Sequence, residues 1–327
     1  MYILVTGAAG YIGSVVSEEL IKEGNLVIAV DNLTHGHREA VAPEAIFVQA
    51  DVGNKKAMDR VFRSHQIEAV MHFAATTVIE FSMTDPKQYF QNNVVNGINL
   101  LNTMLKHNVR KMVFSSTAAV YGEPEAMHVS ENDSEIPMNA YGESKLIFER
   151  ILHWYEYAYG LRFVALRYFN VAGASERYGE DHTPTTALFP NILKVALNQK
   201  DYLPIFGTDY PTKDGSGIRD YIHILDLARA HLLVLKHIDG ISGKVYNLGN
   251  GEGYSVVEVI EKAREITGAK IPAVAHPRRP GEPAVLVASS KLINSELGWQ
   301  PQYPRLETML ESAWEWQMKH PHGYDGK

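Results

Sequence analysis

Tyr141 and Lys145 are the residues of this sequence whose types and spacing best suit acid–base chemistry. On a helix that begins near Tyr141, side chains four positions apart share one face. A free phenol has a pKa of about 10, too high for a base at neutral pH, but a nearby positive charge such as an ammonium favours the phenolate and lowers that pKa. The pair therefore predicts a tyrosine acting as general acid and base. An isolated pair of this kind is more often a surface tyrosine beside a solvated lysine.

Three consecutive hydroxyl residues, Ser115, Ser116 and Thr117, stand at the end of a predicted strand. In open α/β sheets, cofactor and substrate meet beyond the carboxyl ends of the strands. A hydroxyl at that place can hold a substrate oxygen and pass on its proton. The alternative is that these are ordinary turn residues at the end of a strand.

Gly7, Gly10 and Gly13 follow the first predicted strand and open the first predicted helix. Glycines allow the tight turn and the close approach of a pyrophosphate to the helix start. Asp31 ends the second strand, 18 residues after Gly13. A carboxylate there accepts hydrogen bonds from a ribose 2′-hydroxyl and repels a 2′-phosphate, which favours NAD over NADP. Asp51, which follows the third strand, either flanks the adenine or caps the next helix.

Alternating strands and helices must position these residues, and the first half of the chain has that pattern. The predicted strands are 2–6, 26–31, 45–49, 69–73, 111–116 and 162–169, and the helices between them are 12–23, 55–63, 86–106 and 141–159. Apolar strands of this kind are typical of a parallel sheet covered on both faces. The pattern predicts a doubly wound, Rossmann-type α/β fold.

The second half is less regular, with helices predicted at 187–197, 224–238, 255–267 and 305–319. We expect a NAD-binding domain at residues 1–170. Residues 171–327 should form mainly a smaller C-terminal substrate-binding lobe, with the chain crossing back to the first domain.

The composition excludes several classes of function. The chain has 327 residues, a hydrophobic fraction of 45%, a formal net charge of -7 and no cysteine. The acidic balance argues against a nucleic-acid partner, and no apolar run approaches the ~20 residues of a membrane span. The sequence contains fourteen histidines but no HExxH motif, so no metal is expected, and His72 and His223 are interpreted as core or supporting residues. A cytoplasmic location is the natural interpretation.

Ten segments together resemble the extended short-chain dehydrogenase/reductases and, within them, the UDP-glucose (UDP-galactose) 4-epimerases. The resemblance covers nearly the whole chain, and its most specific segment lies at residues 205–228. The segments are VTGAAGYIGS, VDNLTHGH, HFAA, NNVVNG, FSSTAAVYGE, YGESKLIFE, LRYFNVAGA, IFGTDYPTKDGSGIRDYIHILDLA, YNLGNGEGYSV and PRRPGEPA.

This resemblance implies a role for individual residues. Tyr141 is implied as the acid and base, Lys145 as its partner, and Thr117 as the ligand of the oxygen on C4 of the sugar. The residues implied to hold NAD are Gly7, Gly10, Tyr11, Ile12, Asp31, Asn32, Asp51, Val52, Phe73, Ala74, Ala75, Asn92 (or Asn93), Ser115, Lys145 and Tyr168. The residues implied to bind the UDP-sugar are Thr117, Tyr141, Asn170, Arg219, Arg279, Glu282 and Val285, with the two arginines on the diphosphate.

The activity implied by the resemblance is reversible inversion at C4 of a UDP-hexose through a 4-keto sugar, with NAD staying bound. Related sugar-nucleotide 4,6-dehydratases carry an Asp-Glu pair where this chain has Ala118 and Ala119. This chain therefore lacks the carboxyl groups that would donate and accept the protons when water is eliminated from the sugar. The alternatives are an epimerase of UDP-glucuronate or a UDP-pentose, a redox enzyme using free NAD, and a non-catalytic NAD-sensing protein.

Three positions depart from the family pattern, and two others bear on specificity and assembly. The departures are Thr77 where a lysine is common, Glu80-Phe81-Ser82 in place of Gly-Glu-Ser, and Ala187 where Asn or His is expected. Val285 stands where a bulky tyrosine would exclude an N-acetyl group, so acceptance of UDP-GlcNAc and UDP-GalNAc is expected. The helix from Tyr141 has a second apolar side that includes Trp154 and needs a cover. A homodimer packed through this helix and the helix at 86–106, as the resemblance implies, would supply it, and an intrachain loop is the alternative.

Overall fold

The strands of the molecule fall into one large sheet and two small ones. The computed structural model describes residues 1–325. Its strands are Tyr2–Thr6 (β1), Leu26–Asp31 (β2), Ile46–Gln49 (β3), Ala69–His72 (β4), Lys111–Thr117 (β5), His128–Val129 (β6), Arg162–Tyr168 (β7), Asn170–Ala172 (β8), Leu203–Phe206 (β9), Ile218–His223 (β10), Lys244–Leu248 (β11), Gly253–Ser255 (β12), Ala273–His276 (β13) and Val285–Ala288 (β14).

The helices alternate with the strands in the first half and cluster in the second. They are Tyr11–Lys22 (α1), Lys55–Ser64 (α2), Ile79–Ser82 (α3), Pro86–Tyr89 (α4), Asn96–Lys106 (α5), Ala140–Tyr159 (α6), Leu188–Ala196 (α7), Ile224–His237 (α8), Val256–Thr267 (α9), Lys291–Leu297 (α10) and Leu306–Lys319 (α11). No helix among the described residues is long and apolar enough to cross a membrane.

The large sheet has the strand order β3-β2-β1-β4-β5-β7-β11, and all its pairings are parallel. Alternate residues of β1 enter two separate cores. Ile3 and Val5 pack with α1 and α8 on one face, whereas Leu4 packs with α2, α5 and α6 on the other. The predicted doubly wound α/β fold is confirmed, and the carboxyl ends of the strands line one edge.

The chain returns to the large sheet after residue 170. Helix α8 covers one face, and β11 pairs with β7 at the sheet edge. The five-stranded sheet has the order β12-β10-β14-β6, with β8 also paired to β10, and β9 pairs with β13 in the two-stranded sheet. Helices α7, α9 and α11 enclose a third core with Tyr221 of β10. The boundary near residue 170 stays a prediction.

One predicted helix differs from the structure. The segment 86–106 was expected to be a single α-helix, but a π-helix at Phe90–Val95 separates α4 from α5. A π-turn fits an extra residue into the helix and is frequent at functional sites. Here it contains Asn92 and Asn93, and the hydrophobic periodicity of the segment gave no signal for it.

Candidate active site

The two predicted acid–base residues lie on one face at the start of α6. Asn139 caps this helix by accepting a hydrogen bond from the Gly142 amide at 2.8 Å. The Lys145 ammonium lies 6.0 Å from the centroid of the Tyr141 ring and donates to the Ser115 carbonyl at 2.7 Å. Hydrogen bonding from the Thr117 hydroxyl lowers the pKa of the Tyr141 phenol, which places the two side chains next to each other. The structure therefore brings all three predicted catalytic side chains together at the end of β5.

Burial sets the pKa values of this pair in the protein alone. Burial raises the pKa of Tyr141 to about 12, and the hydrogen bond from Thr117 only partly opposes it. Burial also lowers the pKa of Lys145 to about 7, although the Glu149 carboxylate favours the ammonium. The expectation that Lys145 lowers the Tyr141 pKa does not hold for the protein alone, because desolvation of the phenol is the larger effect.

The turn after β5 carries no acid. A short 3₁₀-helix at Ala118–Tyr121 follows Thr117, whose hydroxyl accepts a hydrogen bond from the Ala119 amide at 3.1 Å. A Cβ on Gly142 would lie 2.5 Å from the Ala119 carbonyl, so this turn packs directly against the start of α6. Two methyl side chains therefore stand beside the acid–base pair where a dehydratase needs carboxyl groups.

The three glycines of the first turn have different packing. A Cβ on Gly13 would lie 2.1 Å from the Gly7 carbonyl oxygen, and a Cβ on Gly7 would lie 2.7 Å from the Ala74 amide. Gly10 differs, because the nearest atom to its Cβ position, the Gly7 carbonyl oxygen, is 3.4 Å away. Helix α1 begins there without a side-chain cap and without an acid in its first turn. An anion fits this helix start, as a dinucleotide pyrophosphate requires.

Asp31 supports the same turn. Its carboxylate accepts from the Ala9 amide at 3.0 Å and from the Leu33 amide at 2.8 Å. Beyond it, the Asn32 amide donates to Asp51 at 2.8 Å. The cap alternative for Asp51 is wrong, because Asn54 caps α2. The predicted adenosine-side residues thus lie together at the ends of β2 and β3, with Val52 buried behind them in the core.

The segment after β4 lies between the glycine turn and the start of α6. The Ala74 amide approaches the Thr6 hydroxyl at 3.4 Å, which keeps the segment Phe73–Ala75 beside the turn. Asn93 holds the next residue, because its side chain accepts from the Thr76 amide at 2.8 Å and donates to the Thr76 carbonyl at 3.0 Å. It also donates to Ser144 of α6 at 2.9 Å. Asn93, not Asn92, ties this segment to the catalytic helix.

Two predicted cofactor residues use their hydroxyls inside the protein. Tyr11 donates to the Gly173 carbonyl at 2.6 Å and so joins α1 to the second half of the chain. Tyr168, at the end of β7, is hydrogen-bonded to the buried His231 of α8. Sequence reasoning missed His231, because a single histidine in an apolar helix gives no signal of its partner.

The predicted phosphate ligands meet around one carboxylate. Glu282 lies 3.4 Å from a guanidinium nitrogen of Arg219 on β10 and 3.5 Å from one of Arg279. The Arg279 guanidinium stacks on the Phe206 ring at 3.8 Å, and its Nε is buried without a hydrogen-bond partner. A guanidinium with an unused donor suits an oxyanion. Sequence reasoning did not predict the Phe206 contact.

The two halves of the site adjoin at the start of α6. Asn139 donates to the Gly281 carbonyl at 3.1 Å, so the arginine-bearing loop lies against the turn that precedes Tyr141. Asn170 begins β8 and pairs with Tyr221, two positions beyond Arg219 on β10. Val285 begins β14 opposite Ile218. Asn170, Arg219 and Val285 therefore lie on neighbouring strands, β8, β10 and β14.

The departures from the family pattern surround the same region. Thr77 and Glu80 are exposed, and Phe81 is 48% exposed on the short helix α3. Ala187 immediately precedes α7 and gives that helix no side-chain cap. Among residues 1–325, the Thr77 side chain makes no hydrogen bond to another residue.

Comparisons with known proteins agree over the whole chain. The model of the NAD dependent epimerase/dehydratase family matches residues 3–249. A UDP-glucose 4-epimerase of Halalkalibacterium halodurans is 52% identical and is matched over 99% of this chain and 98% of its own. A crystal structure of UDP-glucose 4-epimerase has a TM-score of 0.96, with 48% identity, covering 99% of this chain and 100% of its own. The Bifidobacterium longum UDP-glucose 4-epimerase in complex with NAD+ and UDP has a TM-score of 0.95 at 39% identity, covering 99% of this chain and 100% of its own.

Proposed function

This chain belongs to the NAD dependent epimerase/dehydratase family, and we propose on that premise that it is a UDP-hexose 4-epimerase. It inverts C4 of UDP-glucose and UDP-galactose through a 4-keto sugar, with tightly bound NAD as its cofactor. The observation that carries the proposal is the meeting of Tyr141, Lys145 and Thr117 at the end of β5, next to the alanines of the following turn.

The acid–base step is performed by Tyr141. Its phenolate oxygen takes the proton of the C4 hydroxyl and returns it to the oxygen when the opposite face of C4 is reduced. Thr117 holds the same oxygen, and the Lys145 ammonium stabilises the phenolate. Bound NAD supplies the hydride acceptor and donor for C4, and the positive charge of its oxidised ring favours the phenolate. The oxidation state of the substrate is unchanged over one turnover.

The cofactor ligands are proposed along the edge of the large sheet. The glycine turn and the first residues of α1 receive the pyrophosphate, and Asp31 receives the adenosine ribose. The space around the Gly10 Cβ position supports this assignment, because its nearest atom is the Gly7 carbonyl oxygen at 3.4 Å and internal packing does not require a glycine there. Asp51, Val52 and Asn32 flank the adenine end, and Ser115, Tyr168 and the segment 73–75 flank the nicotinamide end.

The substrate ligands are proposed on β8, β10 and the loop before β14. Arg219 and Arg279 bind the diphosphate, with Glu282 turning from the arginines to the uridine ribose when the nucleotide enters. Asn170 binds the diphosphate from the adjacent strand. This firm grip on the nucleotide leaves the sugar free to rotate, and remote binding energy positions the reacting carbon. Val285 leaves room for the N-acetyl group of UDP-GlcNAc and UDP-GalNAc.

A homodimer is proposed through α5 and α6. Trp154 is 69% exposed and Tyr157 is 85% exposed on the side of α6 that faces away from the sheet. Tyr155 bridges to Asn102 of α5 at 2.8 Å, so the two helices present one continuous surface. Exposed aromatic side chains on paired helices are typical of a symmetric helix–helix interface. A cytoplasmic location stays a prediction.

A product assay tests the proposed function. Purified protein is incubated separately with UDP-galactose, UDP-GalNAc, UDP-glucuronate and UDP-xylose, and the nucleotide sugars are separated. The expected result is conversion of UDP-galactose to UDP-glucose with no net change in nicotinamide absorbance. Tyr141→Phe should lower the rate by about 10²–10⁴-fold while UDP still binds. Preferential conversion of UDP-glucuronate or UDP-xylose would favour the related epimerases, and consumption of free NAD would favour a dehydrogenase.

A further inference from the structure

Glu149 and Arg167 form a buried ion pair directly behind the catalytic residues. Glu149 lies one turn after Lys145 on α6, Arg167 lies on β7, and each is 2% exposed. Arg167 donates from Nε to Glu149 Oε1 at 3.0 Å and from Nη2 to Oε2 at 2.6 Å. Two parallel bonds fix the carboxylate in one orientation. The proposed mechanism assigns no role to either residue.

The same carboxylate is hydrogen-bonded to the catalytic strand. The Ser116 hydroxyl donates to Glu149 Oε1. Ser116 stands between Ser115, whose carbonyl accepts from the Lys145 ammonium at 2.7 Å, and Thr117, whose hydroxyl lies next to the Tyr141 phenol. Helix α6 and strand β5 are therefore joined through Glu149 beside the place where both contribute catalytic groups.

Arg167 is in turn held from its far side. Its Nη1 donates to the Tyr121 hydroxyl at 2.9 Å, and Tyr121 donates to Asn247 of β11 at 2.7 Å. Its Nη2 also pairs with Glu135, whose side chain is 32% exposed. The guanidinium thus has partners on three segments of the fold, α6, the turn at Tyr121 and the loop at Glu135, which makes it a rigid support for Glu149.

We propose that the Glu149–Arg167 pair positions the acid–base site by fixing α6 against the carboxyl end of β5. The proposal rests on the proposed function and assigns two positioning residues to it. Buried ion pairs alone are weak evidence of stability, because desolvation opposes their attraction. The bond from Ser116, placed between the two catalytic contacts of β5, is what connects this pair to catalysis.

The pair also acts on the charge of Lys145. The groups around the ammonium are Tyr141 and Glu149 from α6, His72 from β4, and the Phe114 ring at 4.9 Å with the Ser115 carbonyl from β5. Of these, Glu149 is the group that raises the Lys145 pKa against the lowering by burial. Replacing Glu149 by a neutral residue should therefore deprotonate Lys145 at a lower pH.

The first test compares Glu149→Gln with Glu135→Gln in the NAD-containing enzyme. Rates of UDP-galactose conversion are measured from pH 6 to 9. For Glu149→Gln we expect a kcat about tenfold lower, a KM for UDP-galactose within about twofold, and an alkaline loss of activity at lower pH. Glu135→Gln removes a carboxylate from the same guanidinium, away from Lys145, and should leave the pH profile unchanged. A kcat of Glu149→Gln equal to that of the wild type, with equal pH profiles in both variants and the wild type, would overturn the proposal.

A second pair of measurements separates position from charge. Ser116→Ala keeps the Glu149 charge but removes its bond to β5, so kcat should fall without a shift in the pH profile. Thermal unfolding of Glu149→Gln between pH 5 and 8 provides a result independent of turnover. Burial opposes the charged form of Lys145, so the buried ammonium destabilises the fold. This destabilisation is full below the pKa of Lys145 in the folded protein and declines as the pH rises above about 7.

The loss of Tm in Glu149→Gln relative to wild type should therefore shrink as the pH rises, whereas the loss in Glu135→Gln should stay constant. If the loss of Tm in Glu149→Gln is the same at every pH and the kcat of Ser116→Ala equals that of the wild type, the pair only stabilises the fold and the inference is rejected. If the wild type converts no UDP-sugar, the proposed function fails, and the unfolding series still decides how Glu149 affects Lys145.

Discussion

In the proposed mechanism, the phenol of Tyr141 acts as a base only when positive charge lies near it. Burial raises its pKa to about 12, and at neutral pH Lys145 is only partly protonated because burial lowers its pKa to about 7. In that mechanism, the oxidised ring of bound NAD would add the missing positive charge, and reduction of that ring would remove it. The phenolate is therefore favoured when C4 is to be oxidised, and the protonated phenol is favoured when the ketone is present, as each direction of the reaction requires.

Val285 is the residue at which the size of the sugar is expected to be decided. It begins β14, and the preceding Ala284 carbonyl accepts from Arg219 at 3.3 Å, so the residue adjoins the proposed diphosphate site. In the Val285→Tyr variant we expect turnover of UDP-GalNAc to fall at least about tenfold, because a phenol ring occupies the space of the acetyl group. Turnover of UDP-galactose should remain within about threefold of the wild type.

Relative rates with the two sugars, measured side by side, check this expectation, and Val287→Ile at the neighbouring buried strand position serves as the control. A wild type that accepts UDP-GalNAc and a tyrosine variant that keeps all of this activity would show that Val285 is only a strand residue.

Sequence reasoning at the residue scale succeeded where a pattern was local. The spacing of Tyr141 and Lys145 and their placement next to Thr117 followed from one helix and one strand end. The contacts between distant parts of the chain did not follow. Asp31 was expected to face the ribose, but its bond to the Ala9 amide also shapes the glycine turn. The pairing of Glu149 with Arg167 depends on the packing of a helix on a strand, which no local spacing encodes.

At the scale of elements, the glycine turn offers a matched pair of variants. A Cβ on Gly13 would meet the Gly7 carbonyl oxygen at 2.1 Å, so Gly13→Ala should disturb the turn and lower stability by about 1–3 kcal/mol. A Cβ on Gly10 has its nearest neighbour at 3.4 Å, so Gly10→Ala should change the stability of the NAD-free protein by less than about 0.5 kcal/mol. If the pyrophosphate lies there, Gly10→Ala should weaken NAD binding by at least about tenfold.

Denaturant unfolding of the NAD-free proteins and equilibrium NAD binding measure the two effects. Undiminished NAD binding by Gly10→Ala would place the pyrophosphate elsewhere. Equal stability of the Gly13→Ala variant and the wild type would mean that the turn can relax around a methyl group.

The elements themselves were predictable wherever their hydrophobic period was regular. Strands β1 to β5 and β7 of the large sheet and helices α1, α2 and α6 match the predicted ranges to within about two residues. The π-helix at Phe90–Val95 could not be predicted, because its extra residue is set by the contacts of Asn93 with Thr76 and Ser144. Strand β11 was also missed, since it joins the sheet from the second half of the chain and its short apolar run resembles a loop.

At the scale of the whole molecule, the proposed dimer can be tested through its exposed aromatic residues. Trp154→Glu places a charge on a side chain that is 69% exposed and packs only at the surface, so the fold should persist. A charge at the centre of a symmetric interface meets its own copy, so we expect the dimer to dissociate to monomers. Sedimentation or light scattering across a range of concentrations measures the change.

Met127→Glu is a suitable control, because Met127 is 67% exposed and belongs to neither α5 nor α6. A wild type that is monomeric at all concentrations would contradict the dimer, and a dimer that survives Trp154→Glu would place the interface elsewhere.

The stability of the whole molecule should depend on pH through three buried histidines. Burial lowers the pKa of His72 to about 3 and those of His223 and His231 to about 4. In the unfolded chain each titrates near its ordinary value of about 6.5. Between about pH 6.5 and pH 4 the unfolded state binds more protons, so their contribution to stability is full above pH 6.5 and is lost on acidification. Each histidine contributes a slope of at most about 1.4 kcal/mol per pH unit in this window.

His223 allows the effect to be isolated. Its Nδ1 accepts from the Leu225 amide at 3.1 Å and thereby caps α8. Asparagine is an equally good cap but does not titrate. The Tm of His223→Asn should therefore fall less steeply than that of the wild type between pH 6.5 and 4, although losing the Ser312 contact lowers its value near pH 7. His322→Asn, at an exposed position, should follow the wild type throughout. Parallel Tm curves for all three proteins would show that His223 takes up its proton without unfolding the chain.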